Sequence, residues 1–248
     1  MTDESISIAK DGPVARLTLR RETIDAATLG ELRAACESLA SDEAVRVVVL
    51  ASEGADFCPG WDESLLAGDA PGVGVDPFGC LAELPRPVVC AVQGRALSAG
   101  LELALACDVR VAEEGATFGL PEVAQGRIPM GGGTQRLSRL VGRGKALEMV
   151  LSGEPIDAAE ALRAGLVSRL AAKGKALQAA NEVAGRIAER GPLAVRYAKE
   201  AVSRGVEMTL EQALRYETDL TVILQTTEDR AEGVRAFLEK RAPRFKGR

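Results

Sequence analysis

Apolar and polar residues alternate along this chain with two different periods. Residues 14–19 alternate apolar with polar positions, as a half-buried strand does, whereas residues 28–39 place their apolar positions on one face of a helix. Residues 45–51 and 87–92 are almost wholly apolar and rich in valine, which is typical of strands covered on both faces. A helical stretch at residues 101–107 follows the second of these strands. This pattern predicts an α/β fold.

The alternation of strands and helices fades toward the C-terminus. A short strand is predicted at residues 109–112, and from about residue 176 onward the pattern is helical only. Between them we predict three helices, at residues 134–141, 145–152 and 158–164. Glycine and proline cluster at residues 68–79, which indicates a mobile loop. We therefore predict a core domain over residues 1–190 and a helical region over residues 191–248.

Composition narrows the function classes. The chain has 248 residues, of which 46% are hydrophobic but only 3% aromatic, so aliphatic side chains must fill most of the core. The net charge of −5 argues against nucleic acid as a partner. No apolar run approaches the length that spans a membrane, and the polar N-terminus lacks the apolar centre of a signal peptide. The five cysteines form no C-x-x-C pair, which favours reduced thiols and a cytoplasmic location.

The chain contains no histidine. Its absence excludes Ser-His-Asp and Cys-His catalysis and argues against a typical zinc site, so we expect no metal. Acid–base chemistry near neutral pH must then fall to Glu, Asp, Lys, Tyr or Cys. Charge is unevenly distributed along the chain, because residues 233–248 carry six basic side chains and one acidic side chain. This segment is either a solvated basic tail or a site for a polyanionic small molecule.

Two turns that follow buried strands could present backbone N–H groups to a ligand. The first is FCPGWD at residues 57–62, where a glycine-containing turn exposes N–H groups that no strand pairing uses. An ordinary tight turn is the competing interpretation. The second is SAGLE at residues 98–102, where small residues open a helix whose first N–H groups lack internal partners. The N–H near Ala99 is therefore a candidate donor.

Two carboxylates stand near helix starts. Glu102 lies about one turn into the helix that Ala99 opens, in a run that is otherwise apolar. Glu122 follows Pro121, which can serve as the first residue of a helix. Taken singly, each acid is typical of a capping or dipole-favoured position. The glycine-rich stretch at residues 126–133 is not a phosphate loop, because the Gly-Lys-Ser/Thr ending is missing.

Six motifs, taken together and in their order along the chain, resemble a known family, although no single motif is specific enough to show this. They read FCPGWD, RPVVCAVQG, SAGLELALACD, FGLPE, GRIPMGGGTQRL and FLEKRAPRF, and they extend over nearly the whole chain. In this order they resemble the enoyl-CoA hydratase/isomerase family, also called the crotonase family. The resemblance implies a spiral of repeated ββα units and a C-terminal helical region that packs trimers, often paired into hexamers. It also implies a role in acyl-CoA and fatty-acid metabolism.

The resemblance assigns roles to particular residues. The backbone N–H groups of Trp61 and Ala99 would form an oxyanion hole for a thioester carbonyl. Glu102 would orient and activate a water molecule, and Glu122 would pass the proton. Coenzyme A would be bound by residues around the oxyanion hole and by the C-terminal helix of a neighbouring subunit. The candidate binding residues are Trp61, Asp62, Glu63, Ser64, Ala99, Phe237 and Lys240.

The chain departs from the family's pattern at a few positions. Relatives commonly have glycine where this chain has Ala99 and a small residue where it has Trp61, so Trp61 either narrows the pocket or adds a stacking wall for the acyl group. Asp62 is as easily a helix cap as a ligand contact. The segment at residues 20–26 lacks the family's usual proline, which leaves the preferred acyl group open.

Three functions are compatible with these motifs. The first is an enoyl-CoA hydratase, a carbon–oxygen lyase with no cofactor besides the coenzyme A of its substrate. The second is a 3,2-enoyl-CoA isomerase or a specialised acyl-CoA lyase of the same family. The third is a CoA-ester or RNA-binding scaffold without turnover. The lysine-free helical stretch at residues 31–44 counts against RNA, and both carboxylates together favour hydration.

Overall fold

The computed structural model describes residues 4–67 and 76–248, so most of the mobile loop predicted at residues 68–79 lies outside the described residues. The described residues form these strands: β1 (Ile6–Asp11), β2 (Val14–Leu19), β3 (Thr23–Ile24), β4 (Val47–Ser52), β5 (Gly60–Trp61), β6 (Val88–Val92), β7 (Arg95–Leu97), β8 (Val109–Glu113), β9 (Thr117–Gly119), β10 (Ile156–Asp157) and β11 (Arg169–Ala171).

The helices of the described residues are α1 (Ala26–Ser41), α2 (Glu63–Leu66), α3 (Gly79–Ala82), α4 (Ala99–Leu105), α5 (Gly133–Val141), α6 (Arg143–Ser152), α7 (Ala158–Arg163), α8 (Ala176–Ala188), α9 (Pro192–Gly205), α10 (Leu210–Gln225) and α11 (Glu228–Leu238). A short 3-10 helix, Pro121–Gln125, lies between β9 and α5. The helices predicted at residues 28–39, 101–107, 134–141, 145–152 and 158–164 correspond to α1, α4, α5, α6 and α7.

Two layers of strands form the core domain. The main sheet has the order β1-β2-β4-β6-β8-β11, in which only β1 runs antiparallel to its neighbour. The second layer consists of the short strands β3 and β5, and of β10, β9 and β7. A single bridge between Cys58 and Ala96 links the two short sheets. The four predicted strands are β2, β4, β6 and β8, whereas the second-layer strands are too short to show a period in the sequence.

The chain repeats one unit as it winds through these layers. A long strand of the main sheet is followed by a short strand of the second layer and then by a helix, as in β2-β3-α1, β4-β5-α2 and β6-β7-α4. The unit β8-β9 ends in the 3-10 helix instead. Successive long strands pair in parallel, which places the short strands and helix starts of neighbouring units side by side. This arrangement is the spiral of ββα units expected from the sequence.

The central strands are buried on both faces, as their apolar runs predict. Val48 and Leu50 of β4 point into the main core, whereas Val47 and Val49 point to the opposite face. Helix α8 covers that opposite face with small side chains such as Ala180. Each fully buried valine or leucine contributes about 1.5–3 kcal/mol of hydrophobic free energy, so this sheet supplies a large part of the fold's stability.

Helices α9 to α11 bury few side chains against the rest of the chain. The Lys199 ammonium joins α9 to the core domain through Asp108 Oδ2 at 2.7 Å and the Arg86 carbonyl at 3.1 Å. The Asp229 carboxylate at the start of α11 accepts from the backbone N–H groups of Lys246 and Gly247 and so fixes the C-terminal tail. Helix α8 ends at Ala188 and α9 begins at Pro192, while the boundary at residue 190 stays a prediction.

Large apolar side chains on these C-terminal helices remain exposed. They include Val202, Leu210, Leu214, Val222, Ile223, Phe237 and Leu238, together with Val206 directly after α9. Exposed apolar residues gathered on one helical region are typical of a protein–protein contact. None of the described helices is both long and apolar enough to cross a membrane.

A buried arginine ties the main sheet to the end of α4. The Arg110 guanidinium of β8 donates to the carbonyls of Leu166 at 2.7 Å, Cys107 at 2.6 Å and Ala104 at 3.3 Å. The last two carbonyls lie just beyond and in the last turn of α4, where a helix runs out of N–H donors; the Ala104 carbonyl also accepts from the Cys107 N–H at 3.2 Å. Arg110 therefore donates to three buried oxygens with one side chain.

We predict that Arg110→Met lowers the free energy of unfolding by roughly 3–5 kcal/mol, because the Leu166 and Cys107 carbonyls would lose their donor and each buried carbonyl left without one costs about 1–3 kcal/mol. Denaturant unfolding monitored by circular dichroism measures the change. Arg169→Met on the neighbouring strand β11 is the matched control, because that side chain is exposed, and it should change the stability by less than about 0.5 kcal/mol. Equal losses in both variants would contradict the proposed role of Arg110.

Candidate active site

Two neighbouring segments of the spiral bring the candidate backbone donors together. The Phe57 N–H donates to the Gln93 carbonyl at 2.8 Å, and the Cys58 N–H donates to the Arg95 carbonyl at 3.0 Å. The Leu97 N–H in turn donates to the Cys58 carbonyl at 3.1 Å. The segment that begins at Phe57 and the segment that begins at Gln93 therefore run in parallel. The first leads into β5 and the second into α4, so β5 and the start of α4 lie at the same end of the paired segments.

The Trp61 N–H points away from the strand that β5 pairs with. The next residue, Asp62, donates its N–H to the Ile24 carbonyl of β3 at 2.9 Å. Because successive N–H groups along a strand point to opposite sides, the Trp61 N–H faces away from β3. The sequence predicted a backbone donor at this turn, and the geometry leaves that donor available to a ligand.

The second candidate donor opens α4. The first hydrogen bond within this helix runs from the Glu102 N–H to the Ser98 carbonyl at 3.0 Å, so the Ala99 N–H has no acceptor inside the helix. Ser98 adopts a φ of 50°, a left-handed conformation that favours glycine. Strained backbone of this kind is characteristic of functional sites. Gly100 allows the close approach, since a Cβ atom there would lie 1.9 Å from the Cys58 carbonyl oxygen.

Glu102 is completely buried, one turn into α4. Its Oε1 accepts from the backbone N–H groups of Gly131 at 2.6 Å and Gly133 at 2.9 Å. Its Oε2 has no hydrogen-bond partner among the described residues. Burial raises the pKa of Glu102 to about 7, the two glycine N–H groups oppose the rise, and the charge of Glu122 adds to it.

Glycine is required at both residues that hold Glu102. A Cβ atom on Gly131 would lie 2.7 Å from Glu102 Oε2, and one on Gly133 would lie 2.9 Å from Oε1. The role of these two glycines was not predicted from the sequence. The glycine-rich stretch itself was the available signal, because a run of glycines marks a place where the backbone must approach another group closely.

Glu122 lies in the 3-10 helix Pro121–Gln125, with Pro121 as its first residue, as predicted. The side chain is only 2% exposed, and neither carboxylate oxygen has a hydrogen-bond partner among the described residues. Its charge acts on Glu102, which places the two carboxylates within electrostatic range of each other. The structure therefore brings both predicted acids into one buried site with three unpartnered oxygens.

Aromatic side chains form a wall of this site. The rings of Trp61 and Phe78 stack with centroids 5.5 Å apart and an interplanar angle of 21°. A Cβ atom on Gly131 would lie 2.8 Å from Phe78 Cε2, so the stacked pair reaches the segment that binds Glu102. Phe78 was not predicted as a site residue, because no motif signals its position.

The remaining predicted binding residues lie around or away from the carboxylates. Asp62 caps α2, since its Oδ1 accepts from the Ser64 N–H at 3.0 Å and from the Ser64 hydroxyl at 2.6 Å. These hydrogen bonds hold the pKa of Asp62 below its usual value. Glu63 is the first residue of the same helix. Phe237, at the far end of α11, is 82% exposed and so does not pack against the buried acids within this chain.

The basic tail is partly neutralised by its own helix. Arg241 pairs with Glu232 at 2.6 Å and with Glu239 at 2.5 Å. Lys240 takes part in no ion pair among the described residues, and its φ of 51° lies in the left-handed region just after α11. Within the described ranges no three His, Cys, Asp or Glu side chains lie close enough to hold a metal ion.

A cavity of about 1280 Å³ lies elsewhere, between α9 and the core domain. Asp108, Arg136 and Lys199 are among its lining residues, whereas neither Glu102 nor Glu122 lines it. The buried carboxylates, and not this cavity, are therefore the candidate active site. The reason is that unpartnered carboxylate oxygens and a raised pKa occur together at Glu102 and Glu122, and perturbed pKa values cluster at functional sites.

Known proteins resemble the chain over its full length. The sequence profile of the enoyl-CoA hydratase/isomerase family matches residues 9–248. A probable enoyl-CoA hydratase of Rhizobium meliloti is 40% identical over 257 residues, which cover 100% of both proteins. The 2,3-dehydroadipyl-CoA hydratase of Escherichia coli is 41% identical over 250 residues, covering 97% of this chain and 98% of that protein.

Solved structures agree with the sequence relatives. The crystal structure of an enoyl-CoA hydratase from Bacillus anthracis matches with a TM-score of 0.95 at 37% identity, covering 99% of this chain and 100% of that chain. A hydratase structure from Geobacillus kaustophilus matches with a TM-score of 0.93 at 38% identity, covering 99% of each chain. The predicted crotonase-like fold is thus confirmed. The chain is an enzyme that belongs to the enoyl-CoA hydratase/isomerase family.

Proposed function

We propose that this enzyme is an enoyl-CoA hydratase, which adds water reversibly to the 2,3 double bond of a 2-enoyl-CoA thioester. One observation carries the proposal: Glu102 and Glu122 are buried in one site, and three of their four oxygens have no partner among the described residues. Hydration needs a group that activates water at C3 and a group that handles the proton at C2. Several relatives named as hydratases at about 40% identity support the same assignment.

The backbone N–H groups of Trp61 and Ala99 would polarise the thioester carbonyl. Water attack at C3 moves the electrons of the double bond toward C2 and the carbonyl oxygen, which gives an enolate-like transition state. Hydrogen bonds aimed at that oxygen stabilise the charge as it develops, and each such donor is typically worth about 3–4 kcal/mol. Backbone donors suit this role because the paired segments and α4 hold them rigidly.

Glu102 and Glu122 would divide the proton transfers. In this proposal the Glu102 carboxylate orients and activates the water, whose oxygen forms the bond to C3 as one water proton passes to Glu102. Glu122, protonated at the start, delivers its proton to C2, which restores the thioester from the enolate. The proton that Glu102 accepted then returns to Glu122, so both acids regain their starting states. The overall reaction adds one water and consumes nothing else, so it requires no cofactor beyond the coenzyme A that is part of the substrate.

Coenzyme A binding would involve two subunits. Trp61 to Ser64 begin at the first candidate donor of the oxyanion hole, whereas the exposed Phe237 and Lys240 lie at the end of α11, in the helical region with the exposed apolar residues. We propose that this region packs copies of the chain into a homotrimer or homohexamer. Phe237 and Lys240 would then contact the coenzyme A of a neighbouring subunit. All five cysteines are free thiols, in keeping with the proposed cytoplasmic setting.

We predict that Glu102→Gln and Glu122→Gln each lower kcat for hydration by about 10²–10⁴-fold, the usual contribution of general acid–base catalysis. The amide oxygen that Glu102→Gln introduces can still accept from the two glycine N–H groups, so the fold should be kept. Mass spectrometry of the products of a 2-enoyl-CoA panel measures turnover. The exposed Glu114→Gln is the control and should retain full activity.

The same product analysis separates the alternatives. Hydration adds the mass of one water to the acyl-CoA, whereas 3,2-isomerisation leaves the mass unchanged. A wild-type enzyme that converts 3-enoyl-CoA without a mass change, and adds no water to any 2-enoyl-CoA, would overturn the hydratase assignment in favour of an isomerase.

The raised pKa of Glu102 predicts the pH profile. Burial raises this pKa to about 7, so Glu102 is mostly neutral below pH 7 and cannot accept a proton from water. We expect kcat/KM to rise with pH up to about 7 and then level off, since kcat/KM reports the free enzyme. In Glu102→Gln the residual activity should lose this acid limb. A wild-type profile that is flat from about pH 5 to 8 would contradict the role of Glu102.

We predict a solution mass of three or six times the 26.0 kDa of the chain. Light scattering coupled to size-exclusion chromatography measures it. Replacement of the exposed Val206 and Leu210 by lysine should lower the mass toward that of the single chain, because charged side chains cannot be buried in an apolar contact without cost. Lys240→Ala should leave the mass unchanged and raise KM for the acyl-CoA. A monomeric wild-type protein would exclude the shared-site arrangement.

A further inference from the structure

Trp61 carries a buried hydrogen-bond donor that the proposed reaction does not use. Only the backbone N–H of Trp61 is assigned to the oxyanion hole. The side chain is 6% exposed, and its indole Nε1 has no hydrogen-bond partner among the described residues. A buried N–H without an acceptor is energetically costly, and such groups in folded proteins are few. This one lies in the same site as three carboxylate oxygens that also lack partners.

Contacts around Gly131 place the indole beside Glu102. The Trp61 ring stacks on Phe78, and Phe78 Cε2 borders the same side of Gly131 as Glu102 Oε2. The indole also lowers the pKa of Glu102, although the two groups do not meet at hydrogen-bonding geometry. The indole and the unpartnered Oε2 of Glu102 therefore lie near each other.

The unpartnered atoms match the hydrogen-bonding capacity of one water molecule. Water has two O–H donors and two lone pairs. The site offers acceptors for both donors, one on Glu102 Oε2 and one on Glu122, and a donor for one lone pair, on Trp61 Nε1. The second lone pair is left free. A water held by these three partners would direct that lone pair in one direction only.

We propose that the Trp61 indole N–H is a positioning group that holds the attacking water against Glu102 and Glu122. The proposal rests on the proposed hydratase function. The free lone pair forms the bond to C3, and one water O–H bond breaks as its proton passes to a carboxylate. The indole N–H donates a hydrogen bond to the water but does not transfer its proton, so its effect is on the orientation of the water. It should therefore act on kcat more than on KM.

The role of the indole N–H can be tested without changing any other residue, because Trp61 is the only tryptophan of the chain. Expression in a tryptophan auxotroph supplied with β-(3-benzothienyl)alanine replaces the indole N–H of this residue by sulfur and changes no other residue. We expect an unchanged melting temperature, a kcat for hydration about tenfold lower, and a KM within about threefold of wild type. The genetic variant Trp61→Phe, which also lacks the N–H, should lose at least as much kcat.

Two results would overturn the proposal. An unchanged kcat in the sulfur analogue would mean that the N–H does not hold the water. A raised KM with unchanged kcat would place the N–H on the substrate instead. Phe78→Leu serves as a control for the stack, because it keeps the N–H; its kcat should stay above that of Trp61→Phe.

A second measurement needs no turnover. The fluorescence of the sole tryptophan should change with a midpoint near pH 7 as Glu102 ionises beside it, and Glu102→Gln should abolish the change. Asp62 has a lowered pKa, and burial raises the pKa of the Cys58 thiol to about 12, so neither group titrates near pH 7. A hydrogen bond with Cys36 lowers the pKa of the Cys80 thiol, two residues from Phe78, to about 7, so Cys80→Ser should keep the transition if Glu102 causes it. Glu122 is the remaining carboxylate of the site, and Glu122→Gln should keep the transition. Loss of the transition in Glu122→Gln alone would assign it to Glu122 and contradict the contact between the indole and Glu102.

The two measurements separate this proposal from the proposed function. A fluorescence transition that depends on Glu102, in an enzyme that hydrates no 2-enoyl-CoA, would remove the hydratase assignment and with it the water, while the contact between the indole and Glu102 would stand. Hydration by the wild type without such a transition, and with full kcat in the sulfur analogue, would remove only the role of the Trp61 side chain.

Discussion

The site depends on a carboxylate that is buried without a cation. Glu102 is held by two backbone N–H groups, from Gly131 and Gly133, and by no positive side chain among the described residues. An isolated buried charge is costly, and two hydrogen bonds offset only part of that cost. The result is a pKa of about 7 instead of the usual value near 4.5, which corresponds to roughly 3 kcal/mol against the anion. A base with a pKa near neutrality is what proton transfer from water requires.

The repeated unit of the fold supplies the two candidate backbone donors and Glu122. Each turn of the spiral ends a long buried strand, adds a short second-layer strand and begins a helix. Trp61, Ala99 and Glu122 occupy equivalent places in three consecutive units, at or just after the short strand. Parallel pairing of the long strands stacks these places beside one another. The fold therefore converts three stretches that are distant in sequence into one cluster of N–H donors and carboxylates.

The sequence predicted the strands β2, β4, β6 and β8 and most helices, because these depend on periods that are local, whereas β1 was missed. The two glutamates were selected only by the order of the family motifs, since each one alone is typical of a helix start. The strand at residues 45–51 could be predicted as covered on both faces because its apolar residues do not alternate with polar ones. Val47 and Val49 indeed lie under α8, on the face opposite the main core. The strands β3, β5 and β7 could not be predicted, since two or three residues show no period. Phe78, Gly131 and the indole N–H of Trp61 were missed for another reason: their roles depend on contacts between segments that no spacing records.

Partners that would stabilise the buried polar atoms of this site would also weaken Glu102 as a base, which explains why these atoms lack partners. A carboxylate whose pKa is raised in the folded state stabilises the fold fully below about pH 4.5, and this contribution is lost as pH rises through about 7. A lysine beside Glu102 would restore stability, but it would lower the pKa and weaken the base. Unpartnered oxygens on Glu102 and Glu122 keep the acids available for proton transfer. The bulky Trp61 then restricts water to a defined position without adding a charge that would lower the basicity of Glu102.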